Sequence, residues 1–232
     1  MEFSLFSAAG FQMILRWAHF VFGVIWIGHL YYFNFTQGPF MAETDAATKS
    51  GVTQKLLPRA LWWFRWGAMF TFVTGWLYLG HRWGEMGSAF LQTSYGTNIL
   101  TGAILGSLMW FNVWFIIWPN QKVVIANAEN VAKGQPANPA AAASAGAALL
   151  ASRTNTLFSM PMLFFMGTAS HLPMNVDASK VGTYFIALAV VLGLLELNAV
   201  KGKTGPITTV KGVIHMGVAF TFVLYFLAEI LL

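Results

Sequence analysis

Imidazole is the side chain most used to hold haem and transition metals, and its charge changes near neutral pH. The chain has five histidines: His19, His29, His81, His171 and His215. Each lies inside or at the lip of an apolar stretch long enough to cross a membrane. The long polar segments around 36–59 and 120–153 contain none. Ionisable groups within membrane segments are costly and usually face a bundle interior with a partner. There are no cysteines, which excludes disulfides, thiolate iron–sulfur clusters, Cys-ligated zinc and covalently attached haem. Any bound metal must be held by His, Met, carboxylate or amide.

The elements that position these histidines are membrane helices. The chain is 57% hydrophobic and 9% charged, against about 25% charged in ordinary soluble domains. Its net charge of +5 is spread over loops with no basic, aromatic-interleaved stripe, so nucleic acid is not an expected partner. Residues 1–10 carry Glu2 but no Lys or Arg, and no small-residue cleavage site follows, so a retained helix is expected there. Since about 20 apolar residues cross a bilayer, six spans are expected: Phe11 to Phe35, Ala60 to Leu79, Ile99 to Trp118, Thr156 to His171, Val181 to Leu197 and Val213 to Leu232. The fourth and fifth are the weakest and could instead form one re-entrant excursion.

Nine basic residues (Lys49, Lys55, Arg59, Lys122, Lys133, Arg153, Lys201, Lys203, Lys211) fall on one side, against Arg16, Arg82 and Lys180 on the other. The positive-inside rule then places both termini outside the cytoplasm. The fold class is an all-α polytopic bundle forming a single domain, 1–232, with a cytoplasmic low-complexity loop at about 120–153. Within it, Gln121 to Lys133 can extend the third helix, and the Ala-rich Pro136 to Ala151 suits a short surface helix.

A rise of about 1.5 Å per residue puts His29 about 15 Å deeper than His19. Two layers result: His19, His81 and His171 toward the outside, His29 and His215 toward the cytoplasm. In span two, Gly67, Thr71, Thr74, Tyr78 and His81 share one small, polar face, and in span four Met160, Phe164, Gly167 and His171 do the same. Gly102 and Gly106 form a GxxxG packing face in span three. This arrangement points to two non-covalent b-type haems: His29 with His215 at the inner site, and His19 with His81 or His171 at the outer. Arg16, Arg65 and Arg82 are available to haem propionates. The competing account is that these histidines only bond neighbouring helices. Met160, Met162 and Met166 read as packing filler, and Glu196 and Glu229 as headgroup-level carboxylates.

Several stretches together carry a family resemblance. They are Arg16-Trp-Ala-His19 with Gly23-Val-Ile-Trp-Ile-Gly28, Leu61-Trp-Trp-Phe-Arg-Trp66, Trp118-Pro-Asn-Gln-Lys122, and Ser152-Arg-Thr-Asn-Thr-Leu-Phe-Ser-Met-Pro-Met162 with His171. This pattern resembles the membrane domain of the bacterial membrane-anchored urate oxidase (urate hydroxylase) family. Longer members of that family carry a C-terminal cytochrome c domain, and no C-x-x-C-H occurs here. The resemblance implies a bacterial inner membrane protein and admits urate oxidation with a separate cytochrome c as acceptor.

The histidine pattern itself favours an electron-transfer subunit working between quinone or a membrane enzyme and a periplasmic cytochrome. A non-redox accessory subunit of a respiratory complex is the third possibility. Apart from lipid, the expected partner is a redox protein or respiratory complex, since the chain encodes neither donor nor acceptor.

Overall fold

The computed structural model describes residues 3–232 and is all-helical, with no strand among the described residues. Glu2, part of the N-terminal expectation, lies outside them. Six long helices follow one another: α1 (Ala8–Glu43), α2 (46–86), α3 (Ser94–Ala132), α4 (Ala141–His171), α5 (Val181–Lys201) and α6 (Val210–Leu231). Side-chain oxygens of Ser7, Asp45, Thr93 and Thr209 accept from backbone N–H groups in the first turns of α1, α2, α3 and α6, which satisfies donors that a helix start leaves free.

Three of these helices contain a π-helical turn: Tyr32–Gln37 in α1, Val52–Leu56 in α2 and Asn112–Ile117 in α3. Each is followed two residues later by a proline: Pro39, Pro58 and Pro119. Proline inside a helix lacks an N–H and its ring meets the carbonyl four residues back. The wider π turn holds that carbonyl, on Phe35, Gln54 and Phe115, so the helix continues past the ring.

Four helices, α1, α3, α5 and α6, are long and apolar enough to cross a membrane. The other two are more polar for different reasons. α2 carries Arg59, Arg65 and Arg82. α4 is the central helix, packed against α1, α3, α5 and α6, so little of it needs to be apolar toward lipid. Its buried residues include Arg153, Thr154, Asn155, Thr156 and Ser159.

The 120–153 segment differs from the loop expected. α3 runs on to Ala132, as the extension of the third span required, but the Ala-rich stretch is the first part of α4 rather than a separate surface helix. Only residues 133–140 lie outside helix. Alanine has the highest helix propensity, and no proline follows Pro139 until Pro161, which α4 accommodates internally. The GxxxG face packs as its spacing implies. A methyl on Gly102 would lie 3.2 Å from Met166 and 3.3 Å from the Met162 carbonyl on α4.

Candidate functional site

One group of buried polar side chains lies at the level of the π turns of α1 and α3. Asn34, on the α1 π turn, donates to the Leu30 carbonyl at 2.9 Å and to Ser152 Oγ of α4 at 2.8 Å. Two turns further along α4, Ser159 Oγ meets Tyr31 OH at 2.9 Å. On the α3 π turn, Asn112 Nδ2 donates both to Asn155 Oδ1 of α4, at 2.9 Å, and to Glu196 Oε2 of α5, at 3.1 Å. Asn155 Nδ2 donates in turn to the Met109 carbonyl at 2.9 Å. A continuous chain of hydrogen bonds therefore joins α3, α4 and α5. Asn112 and Asn155 are fully buried, and Asn112 Oδ1 and Glu196 Oε1 have no hydrogen-bond partner.

Glu196, expected at headgroup level, turns one oxygen into the bundle. It is half-buried, with one oxygen bonded to an asparagine of the core. Arg153 is 7% exposed, and its Nε and Nη1 also lack partners. It shares a helix face with Met160 and Phe164, seven and eleven residues on. Those side chains pack on Gly217 and Tyr225 of α6, so Arg153 points away from the asparagine chain. Asn34, Asn112 and Asn155 were missed as site residues. The available signal was an amide inside an apolar run, and Asn155 sits in the Ser-Arg-Thr-Asn-Thr stretch that served only as a family mark.

The histidines sort by their bonds. α1 and α2 pack as an antiparallel ladder on the face foreseen for span two. A methyl on Gly67 would meet the Trp26 backbone at 3.1 Å, His19 Nδ1 lies 2.9 Å from the Thr71 carbonyl, Arg16 bonds Tyr78 OH, and Gln12 Nε2 lies 3.2 Å from His81 Nδ1. A carbonyl only accepts, so His19 Nδ1 carries a hydrogen and Nε2 keeps its lone pair. His29 is held the same way, with Nδ1 at 2.7 Å from the Ile25 carbonyl of its own helix. That is the usual orientation of a ligating imidazole. In His81 the roles reverse: Nδ1 accepts from Gln12, and Glu85 lies 3.5 Å away.

His29 also lines an outward-facing groove between α1 and α2, with Gly28, Tyr32, Ala60, Trp63 and, at its rim, Arg59. His171 and His215 are exposed, on α4 and α6.

The structure does not bring all the expected pairs together. α1 packs on α2 and α4, and α6 on α4 and α5, so His29 and His215 stand on helices that share a neighbour. His81 meets the Gln12 level of α1, about two turns from His19. Among the described residues no three His, Asp or Glu gather as a metal site. His19 and His29 each turn Nδ1 to a backbone carbonyl, and His29 lines the groove just described. Arg65 stacks on Trp118 of α3, its guanidinium carbon 3.8 Å from the ring centroid. Arg16 lies 4.7 Å from the Tyr78 ring centroid.

A family model described as urate oxidase N-terminal matches residues 86–223, more than half of the chain. That stretch holds the whole Asn112–Asn155–Glu196 chain of hydrogen bonds, while His19 and His29 precede it. No curated protein and no solved structure matches the chain.

Proposed function

The chain belongs to the urate oxidase N-terminal family, and from that premise we propose that it is the membrane-embedded part of a urate-oxidising system that passes electrons to a separate cytochrome. The family match is the observation that carries this, and the buried polar layer inside the matched residues supports it. Four helices are apolar enough to span. α2, laddered on α1, and α4, at the bundle centre, cross with them to give six spans. The basic loops put both termini outside the cytoplasm, in a bacterial inner membrane.

Haem, when bound, supplies a one-electron acceptor for the two electrons that urate gives up. His29 is the residue best placed to hold it, with Nε2 free beside an apolar groove and the Arg59 cation at the rim to meet a propionate. His19 presents the same free nitrogen toward the outer half of α1. The chain's own part is to fix both imidazoles by their Nδ1–H bonds and to keep the polar layer dry between α3, α4 and α5.

Turnover tests this reading. Membranes carrying the protein, given oxidised cytochrome c and urate, should consume urate and reduce the cytochrome in a ratio of one urate to two electrons. Membranes without the protein should do neither. Equal rates in both would overturn the assignment.

A further inference from the structure

Two acceptor atoms in the α3–α4–α5 layer, Asn112 Oδ1 and Glu196 Oε1, have no donor, although the other ends of the same two groups are already bonded, Asn112 Nδ2 to Glu196 Oε2 at 3.1 Å. Leaving two buried acceptors unpaired is costly, and a carboxylate in an apolar core without a cation is more so. No ion pair to Glu196 occurs among the described residues. A hydrogen on Glu196 Oε1 would turn one of the two acceptors into a donor, beside an amide whose N–H already donates to the other acid oxygen.

We propose that Glu196 stands as a neutral carboxylic acid closing a two-bond acid–amide pair with Asn112, and that it is the proton-exchange site of the membrane core. The groups on the packed helices leave that assignment intact. α5 packs on α3, α4 and α6. On α3, Lys122 is ten residues from Asn112, about 15 Å along the helix, and Tyr95 and Glu129 are further. On α4, Arg153 turns toward α6, and His171 lies at the far end of the helix. On α6, Lys211 and His215 are near its start and Tyr225 bonds Glu229. None of them bonds Glu196.

The role rests on the urate-oxidising reading; the protonation does not. Oxidation of urate with addition of water forms one C–O bond and releases two electrons and two protons. A haem carrier takes the electrons only, so both protons must leave through groups of the protein or through water. Glu196, bonded through Asn112 to Asn155, is a carboxyl placed in the core to pass one on and be reloaded.

Infrared spectroscopy of the purified full-length protein, without urate, tests the protonation. At neutral pH it should show a protonated-carboxyl carbonyl band that shifts in D2O, shifts again on 13C-glutamate labelling, and is absent from Glu196→Gln. That variant replaces the acid by an isosteric amide, so its thermal stability should match wild type. Asn112→Leu should move the band and not remove it. A wild-type spectrum without a glutamic acid carbonyl, or carboxylate bands that change on adding sodium or potassium chloride, would overturn the proposal. A second measurement reads the role. Urate-driven cytochrome reduction in Glu196→Gln should fall about 100-fold in kcat, with KM little changed. A band present while Glu196→Gln turns over at the wild-type rate removes the proton role and keeps the acid. Absence of urate turnover in wild type removes the functional reading alone.

Discussion

The His19 ring lies directly on Gly75: a methyl there would stand 2.9 Å from Cε1 and 3.0 Å from Nδ1. The same Nδ1 holds the Thr71 carbonyl at 2.9 Å, so the position of the imidazole is set by a missing side chain. Gly75→Ala should push the ring off and break that bond. The expected cost is about 1–3 kcal/mol, as for other overpacked sites. Gly80→Ala, where nothing lies within reach, should be neutral or stabilising by up to about 1 kcal/mol. Thermal unfolding of both variants in one detergent checks the contrast.

Arg65 and Trp118 tie α2 to α3 through a guanidinium 3.8 Å from the indole centroid. A double-mutant cycle with Arg65→Gln and Trp118→Leu should give a coupling of about 0.5–2 kcal/mol. Additive losses would mean that the stacking contributes nothing.

Asn155 links the polar layer by donating to the Met109 carbonyl and accepting from Asn112. Asn155→Leu removes one of the two acceptors of the Asn112 amide, which keeps Glu196 Oε2, and one of the donors to the Met109 carbonyl, which keeps a backbone N–H. It should cost about 1–3 kcal/mol. Tyr31→Phe removes one bond to Ser159 at a half-buried position and should cost no more than about 1.5 kcal/mol. Reversal of that order in denaturation measurements would contradict the layer's importance.

The difference between what was and was not legible in the sequence follows from what each residue does. The face Gly67, Thr71, Tyr78, His81 could be read from spacing because it packs on one partner, α1, along an uninterrupted α-helical stretch. The fourth span read as weak because α4 is central, and a helix shielded from lipid has no need of continuous hydropathy. The π turns were not legible as such, although Pro39, Pro58 and Pro119 mark them. The Asn112–Asn155–Glu196 chain escaped notice because it joins three helices distant in sequence. Depth alone placed His29 and His215 together, whereas α1 packs on α2 and α4 and α6 on α4 and α5, so their helices share α4 as a neighbour rather than packing closely on each other.

The topology predicts which loops face the cytoplasm. Ser50→Cys and Lys203→Cys should resist a membrane-impermeant thiol reagent added to intact cells and react after permeabilisation. Ser179→Cys, in the loop between α4 and α5, should react in intact cells. Labelling of position 50 from outside would overturn the orientation.

The central claim is that urate electrons enter a haem held on α1, and a urate-minus-oxidised absorption spectrum of the purified protein tests it most directly. The account predicts b-type haem bands that appear on adding urate under anaerobic conditions. They should be weakened by His29→Ala, lost when His19→Ala is added, and retained in His171→Ala and His215→Ala. Protein expressed with ample haem that shows no haem absorption, or haem bands that urate leaves oxidised, would contradict it.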